Sequence, residues 1–299
     1  DPCAVDANDP NLAYKFGTMA NETVIAQTFN KDLANEYGKI CGNYSLWSNL
    51  TIFWGCGTNL HRTPYNARNH EYYSEDAVLT SGQAVAFISG GKEYGVIIAP
   101  KHLAFNDTEI NRTGVSVFMT EQQARENELR GTQASIEDAG ALGIMTAFNR
   151  VGITAANAHT GLLKNILRGE WGFKGLESQD FIMNPNYAVL KEYALNGGTM
   201  TTFTGENTMA AVSEKFAYWT TENVGQDTEL MGAIKQAMTW QAYALANSNA
   251  LDGMASSTRL VSVRTWYDNA LVAVQVVFAA LTVLAAAMYV LNDRKSKKQ

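Results

Sequence analysis

GVIIAPKH, residues 95–102, is a short β-branched run that ends at a proline and continues into two basic side chains. ALGIMTAF, residues 141–148, and GLESQDF, residues 175–181, are also short runs that end on polar or aromatic residues. Runs of this length, bounded in this way, predict β-strands. Each predicted strand therefore has basic, polar or aromatic side chains at its carboxyl end.

Helix signals fill the intervals between these predicted strands. Residues 120–140 begin with a threonine that can cap a helix, carry an acidic residue in the first turn and end at a glycine. Residues 159–173 show a similar pattern. Strands that alternate with helices predict parallel β/α units. Because no glycine-rich nucleotide-binding motif follows a strand, we favour a (β/α)8 TIM-like barrel over an open nucleotide-binding sheet, with functional residues at the carboxyl ends of its strands.

The overall composition excludes two classes of protein. The chain has 299 residues, of which 46% are hydrophobic, so it can bury a large core and is not expected to be disordered. Its formal charge is −6, and its basic residues cluster only at the carboxyl end. A nucleic-acid partner is excluded because such a partner requires a basic surface.

Cysteine and histidine spacing gives no sign of a metal or another cofactor. No paired C-x-x-C motif and no H-E-x-x-H motif is present. Cys41 and Cys56 could form one disulfide, but buried thiols are the favoured alternative. We therefore predict a protein without a metal ion or cofactor.

A long apolar segment near the carboxyl end predicts a transmembrane helix. From Ala270 to Leu291, only Gln275 and Thr282 carry polar side chains. At about 1.5 Å rise per residue, this segment matches the roughly 30 Å apolar core of a bilayer. Aromatic residues flank it, and a basic tail follows, which predicts that the tail is cytoplasmic and that the rest of the chain is extracellular. The protein is thus expected to be a single-pass protein of the cell membrane.

The amino-terminal residues suggest that further sequence precedes this chain. They include neither an initiating methionine nor a cationic and apolar export signal, although an extracellular domain requires one. The predicted organisation is a partial barrel domain over residues 1–250, a juxtamembrane stalk over 251–269, a transmembrane helix over 270–291 and a cytoplasmic basic tail over 292–299.

Five sequence blocks together are specific enough to indicate a family. They are TPYNARNHEYYSED (63–76), KHLAFNDTEINR (101–112), GIMTAFNRVG (143–152), LLKNILRGEWGFKG (162–175) and the aspartate of SQDF (178–181). In order and spacing, these blocks resemble the barrel domain of family-3 glycoside hydrolases over roughly residues 17–205. The family's early Asp-Gly-Pro segment has no match in the chain, so the barrel is expected to be incomplete at its amino terminus.

The resemblance assigns roles residue by residue. Asp180 matches the family's catalytic nucleophile. The residues assigned to the sugar in the cleaved subsite are Arg68, Lys101, His102, Met145, Phe148 and Phe181. The three basic residues would hydrogen-bond sugar hydroxyls, Met145 and Phe148 would line the subsite, and Phe181 would form an aromatic platform.

The implied activity is that of a retaining, exo-acting β-glycosidase on an oligosaccharide or β-glycoside. Such an enzyme requires an ionised carboxylate nucleophile and a second carboxyl group that protonates the leaving oxygen. We expect Lys101 and Arg68 to lower the pKa of Asp180. Because Lys101-His102 is not followed by the Gly-His of hexosaminidase-type relatives, a β-glucosidase or β-xylosidase type is favoured.

Two departures from the family pattern leave alternatives open. Family members usually have two or three apolar residues and then Ser or Thr directly before the nucleophile, whereas this chain has Leu176, Glu177, Ser178 and Gln179. No residue identifies the acid/base, which we expect a missing upstream domain to supply. The alternative is a catalytically silent, membrane-tethered carbohydrate-binding protein. A third and less favoured alternative is a structural module of a surface layer.

The acids that follow Arg68 also allow a structural interpretation. Glu71, Glu75 and Asp76 are predicted to form an ion-pair network that holds a loop, and Arg68 could belong to that network. We assign Arg68 to the substrate.

Overall fold

A computed structural model of the chain describes residues 19–112, 114–181, 189–202, 217, 219–251 and 266–296. The chain divides into two compact units, residues 1–254 and 255–299. The first unit contains the predicted strands, and the second contains one long helix.

Parallel strands that follow one another along the chain form the frame of the first unit. In chain order the strands are β1 (Ile52–Phe53), β2 (Ile97–Ile98), β3 (Lys101–Leu103), β4 (Ser116–Val117), β5 (Gly143–Thr146), β6 (Arg150–Val151), β7 (Thr154–Ala155) and β8 (Leu176–Gln179). β1 pairs with β2, and β5 lies between β3 and β8, all in parallel. A bridge from Ser178 to Met200 extends this order. The strands predicted over residues 95–100, 141–148 and 175–181 are therefore confirmed.

Helices connect these strands and cover them. They are α1 (Glu22–Ala26), α2 (Lys31–Trp47), α3 (Ala77–Lys92), α4 (Glu121–Gln123), α5 (Arg130–Glu137), α6 (Leu190–Leu195), α7 (Thr221–Gln226), α8 (Thr228–Ala246) and α9 (Trp266–Ser296). Two further segments, Ala124–Glu128 and Gly161–Glu170, are π-helical. Consecutive parallel strands joined by helices form β/α units, as the sequence predicts.

The predicted helix boundaries follow from local hydrogen bonding. The Thr120 side chain accepts a hydrogen bond from the Gln123 amide at 3.2 Å and so caps the helical segment that runs through α5. That segment ends at Gly140, whose φ of +63° suits glycine. The helix predicted over residues 159–173 is also confirmed, although it winds as a π-helix.

The contact between α2 and α3 is unusually close because glycines line it. A Cβ atom on Gly38 would lie 2.0 Å from the carbonyl oxygen of Phe87, and one on Gly90 would lie 2.1 Å from that of Asn35. The two helix backbones therefore touch, and no larger residue fits at either position. Cys41 and Cys56 lie buried as thiols in the core beside this contact, which confirms the favoured alternative.

The second unit consists of α9, which has 31 residues. Trp266–Tyr289 is a 24-residue stretch with a mean hydropathy of 2.4, long and apolar enough to cross a membrane by length and composition. The hydroxyl of Thr282 donates to the carbonyl oxygen of Phe278 at 2.8 Å, so this polar group is satisfied within the helix. The predicted stalk and tail include residues 252–265 and 297–299, which lie outside the described residues, so their boundaries stay predictions.

Candidate active site

The predicted site residues come together at the carboxyl ends of the parallel strands. Lys101 in β3 lies opposite Met145 in β5, and Met145 lies opposite Ser178 in β8. Asp180 follows β8 directly, and its amide donates to the carbonyl oxygen of Thr146 at 3.2 Å. The strand register alone therefore places Lys101, Met145 and Asp180 at the same edge of the sheet.

His102 makes the closest side-chain contact with the predicted nucleophile. Its Nε2 atom lies 3.4 Å from Oδ2 of Asp180, and both side chains are buried. Burial, followed by the charges of Arg68 and Lys101, lowers the pKa of His102 well below its usual value. His102 is therefore a neutral imidazole with one ring hydrogen.

The partners of the two ring nitrogens bear on where that hydrogen lies. Nδ1 has two partners, the hydroxyl of Tyr72 and Oδ1 of Asn59, each at 3.3 Å. Asn106 donates to the hydroxyl of Tyr72 at 2.8 Å, so the Tyr72 hydrogen is available for Nδ1. An ionised Asp180 only accepts hydrogen bonds, so its contact with Nε2 favours the tautomer in which Nε2–H points to Asp180.

Lys101 and Arg68 are brought together by Glu71. Arg68 binds the Glu71 carboxylate through two nitrogens, at 2.9 and 2.7 Å, and Lys101 Nζ lies 3.3 Å from the same group. Burial raises the pKa of Glu71, but these cations outweigh burial and bring it to about 2. The predicted structural role of Glu71 is confirmed, and Arg68 takes part in that ion pair. Its assignment to the substrate stays a prediction.

The expected lowering of the Asp180 pKa is wrong in sign. Burial raises the pKa of Asp180 above its usual value, and this effect outweighs the opposing hydrogen bond from the Phe181 amide. The charges of Arg112, Arg68 and Lys101 also oppose it, so the predicted cations act in the predicted direction. Sequence reasoning underestimated desolvation because it could not show how deeply Asp180 is buried.

Arg112 is a functional candidate that sequence reasoning missed. Its guanidinium lies 4.3 Å from the centre of the Phe148 ring, and it pairs with Glu109 at 2.7 Å. Of the cations that lower the pKa of Asp180, Arg112 has the largest effect. The Glu109–Arg112 spacing in the NDTEINR stretch is the signal that could have indicated it. Tyr72 and Asn59 were also missed, because isolated tyrosine and asparagine residues carry no such pattern.

The three apolar candidates differ in exposure. Met145 and Phe148 are buried, whereas Phe181 is 40% exposed. The amide of Phe181 donates to Oδ1 of Asp180 at 2.8 Å, whereas His102 contacts the other carboxylate oxygen, Oδ2. Phe181 therefore presents a partly open aromatic surface next to the carboxylate, as a sugar platform requires.

Two further carboxyl groups of the site are engaged in ion pairs. Among the described residues, Glu71 and Glu109 are the carboxyl groups paired with the cations Arg68, Lys101 and Arg112. A group that protonates a leaving oxygen must itself hold a proton. Neither of these two ion-paired groups is therefore suited to donate a proton.

Comparison with known proteins agrees with this geometry. Residues 11–200 match the model of the glycosyl hydrolase family 3 N terminal domain. The chain is 35% identical over 159 residues to a probable beta-glucosidase J of Emericella nidulans, covering 53% of this chain and 19% of the relative. It is 34% identical over 176 residues to a beta-glucosidase of Ruminococcus albus, covering 59% and 19%. The chain thus spans about a fifth of these relatives.

Solved structures show the same similarity in three dimensions. Beta-glucosidase 3B from Thermotoga neapolitana, in complex with glucose, matches with a TM-score of 0.72 and 26% identity, covering 82% of this chain and 34% of that protein. A beta-glucosidase from Paenibacillus barengoltzii matches with a TM-score of 0.71 and 27% identity, covering 79% and 26%. The predicted TIM-barrel-like fold is confirmed by these neighbours. The chain therefore belongs to glycosyl hydrolase family 3, whose N-terminal domain it matches over residues 11–200.

Proposed function

We propose that this chain carries the nucleophile and sugar-binding subsite of a retaining, exo-acting β-glycosidase. The observation that carries the proposal is the buried carboxylate of Asp180, held by Nε2 of His102 at 3.4 Å and by the Phe181 amide at 2.8 Å. In the first step, a carboxylate oxygen of Asp180 bonds to the anomeric carbon as the bond to the leaving oxygen breaks. The leaving oxygen takes a proton from a general acid, and water later releases the sugar.

Substrate class follows from the relatives and the subsite. The compared relatives are beta-glucosidases, and the Thermotoga protein was solved with glucose. In this chain, Lys101 and Arg68 can bind sugar hydroxyls, while Met145 and Phe181 offer apolar surface to the sugar ring. We propose a β-glucoside or β-xyloside as substrate, with the general acid supplied by a region outside the described residues.

The alternative is a carbohydrate-binding protein without turnover. The observation that favours it is the engagement of Glu71 and Glu109 in ion pairs, since neither can then act as the acid. Such a protein would bind a sugar through the same subsite. The two functions differ in one respect, which is whether Asp180 forms a bond with the sugar.

A mechanism-based label tests that difference. A 2,4-dinitrophenyl 2-deoxy-2-fluoro-β-glucoside has a leaving group that needs no protonation, so trapping depends on the nucleophile and not on the acid. We expect the chain to gain the mass of one fluoroglucosyl group, and peptide mapping to place it on Asp180. A label on another residue would remove Asp180 as the nucleophile, whereas sugar binding without any label would favour the alternative. Asp180→Asn is the matched control and should stay unlabelled.

We also propose that α9 anchors the protein in the cell membrane as a single-pass helix, with the barrel domain extracellular and the basic tail cytoplasmic. The support is the length and apolar composition of Trp266–Tyr289. Ending the chain before residue 266 should move the protein from a carbonate-washed membrane pellet to the supernatant. Removal of residues 297–299 is the control and should leave it in the pellet. A truncated protein that still sediments with membranes would contradict the anchor.

A further inference from the structure

The strand that leads to Asp180 buries an ionisable group. Glu177, Ser178 and Gln179 are at most 2% exposed, although the sequence pattern led us to expect apolar residues there. Placing a carboxyl group in a protein interior is unfavourable unless hydrogen bonds or a counter-charge compensate. The hydrogen bonds of the Glu177 side chain indicate whether it is ionised or protonated in the protein interior.

Glu177 lies between β5 and the covering helices. Its Oε1 atom is 2.9 Å from Oγ1 of Thr146, and the same hydroxyl is 3.3 Å from the carbonyl oxygen of Ser178. The hydroxyl of Tyr193 is directed to the carbonyl oxygens of Glu177 and Met200, at 2.8 Å each. Among the described residues, Oε2 of Glu177 therefore has no hydrogen-bond donor.

Counting hydrogens favours the protonated acid. Thr146 has one hydroxyl hydrogen and two acceptors within reach. If Glu177 is ionised, that hydrogen goes to Oε1, the Ser178 carbonyl loses this donor, and the charge on Oε2 has no donor within the described structure. If Glu177 is protonated, its own hydrogen bonds Oγ1 of Thr146, and the Thr146 hydrogen bonds the Ser178 carbonyl. Only the protonated form satisfies both contacts.

Thr146 connects this arrangement to the nucleophile. Its backbone carbonyl accepts the amide of Asp180 at 3.2 Å, while its side chain bonds Glu177 on β8. Thr146 therefore forms hydrogen bonds with both Glu177 and Asp180. We expect a change in the bond between Glu177 and Thr146 to shift the backbone of Asp180.

We propose that Glu177 is a positioning residue, which in its protonated form locks β8 to β5 and holds Asp180 in its attacking position. When Glu177 loses its proton to solvent, the hydrogen-bond chain through Thr146 to Ser178 breaks, and turnover falls. This inference rests on the proposed glycosidase function.

The surroundings of Glu177 place the loss of this proton near neutral pH. Burial raises the pKa of Glu177 to about 7, against the opposing effects of Tyr193, Arg168 and Thr146. Arg168, from the Gly161–Glu170 helix, is buried with a pKa lowered by burial to about 10, and it donates to the carbonyls of Phe173, Gly175 and Gly197. Burial raises the pKa of Tyr193, on α6, well above its usual value. Neither neighbour titrates near neutral pH.

The decisive variant is Glu177→Gln, which keeps a neutral amide in place of the acid and cannot ionise. With a dinitrophenyl glycoside and the intact protein, we expect wild-type kcat to fall as pH rises through about 7, the pKa of Glu177. The Gln variant should retain kcat within about threefold of wild type at pH 6 and lack this fall. Thr146→Val removes the shared hydroxyl and should lower kcat at all pH values with little change in KM. Superimposable wild-type and Gln profiles would overturn the inference.

Thermal unfolding gives a readout that does not depend on turnover. Because the folded-state pKa of Glu177 lies above its usual 4.5, wild type should lose stability relative to Glu177→Gln as pH rises from about 4.5 through about 7. Other buried acids contribute equally to both proteins and cancel in the difference. An unfolding midpoint difference that does not change with pH would overturn the inference. Absence of wild-type turnover at every pH would instead refute the proposed function, and with it the positioning role.

Discussion

Replacing Asp180 with alanine should reduce turnover of an aryl β-glycoside by the intact protein on the order of 10⁴-fold or more. The reason is that Glu71 and Glu109, the carboxylates paired with the site's cations, are engaged in ion pairs and do not replace it. The loss should appear in kcat with little change in sugar affinity, because Asp180 acts on the anomeric carbon. Initial rates of nitrophenol release and calorimetric binding of glucose measure the two effects.

Azide provides a direct check on the role of Asp180. A small anion can enter the space left by the missing carboxylate and attack the anomeric carbon, so azide should restore activity and yield a glycosyl azide of inverted configuration. Asp138→Ala is the matched control, because Asp138 is an exposed aspartate at the end of α5. Undiminished turnover in the Asp180→Ala protein would remove Asp180 from the mechanism.

The Asp180 pKa also sets the acid side of the pH profile. Burial raises this pKa, so the ionised fraction falls at a higher pH than for an ordinary aspartate. Activity should therefore decline as pH falls through a value above 3.8, the usual aspartate pKa. The direction follows because the nucleophile works only when it is ionised.

Lys101→Met should lower kcat/KM by about 10²- to 10³-fold, the range expected when a charged donor in a buried site is removed. Lys101 lowers the pKa of Asp180, and under the proposed function it also supplies a cation to the sugar subsite. Both effects are lost in the methionine variant, so the acid limb of the pH profile should also move to higher pH. Michaelis–Menten kinetics between pH 4 and pH 7 measure the two changes together.

A surface lysine separates this effect from a general loss of charge. Lys164 is exposed on the Gly161–Glu170 helix, and Lys164→Met should leave both kcat/KM and the acid limb unchanged. Should Lys101→Met retain kcat/KM within about threefold of wild type, Lys101 would not contact the substrate. If wild type shows no turnover and Lys101→Met loses sugar binding, the carbohydrate-binding alternative would be favoured.

The sequence predicted the frame of the site because the signals for individual strands and helices are encoded locally. Short β-branched runs, a Thr120 cap and a terminal Gly140 define β/α units, and parallel strands bring Lys101, Met145 and Asp180 to one edge. These features depend on neighbouring residues, which periodicity can show.

The electrostatics of the site could not be predicted in the same way. The pKa of Asp180 depends on desolvation, and desolvation depends on packing between residues far apart in the chain. Tyr72 and Asn59 reach His102 across 30 and 43 residues, and no pattern in the sequence connects them. Glu177 is the clearest case, since it interrupts the expected apolar strand and only its contacts explain why the fold accepts it.

The glycine contact between α2 and α3 bears on how such a site can diversify. Because Gly38 and Gly90 let backbone meet backbone, the spacing of the two helices does not vary with side-chain size. In chain order, α2 precedes β1, α3 leads into β2, and the loop that carries Arg68 lies between β1 and α3. Substitutions in that loop need not alter the contact between the two helices, whereas a larger residue at either glycine would force the helices apart.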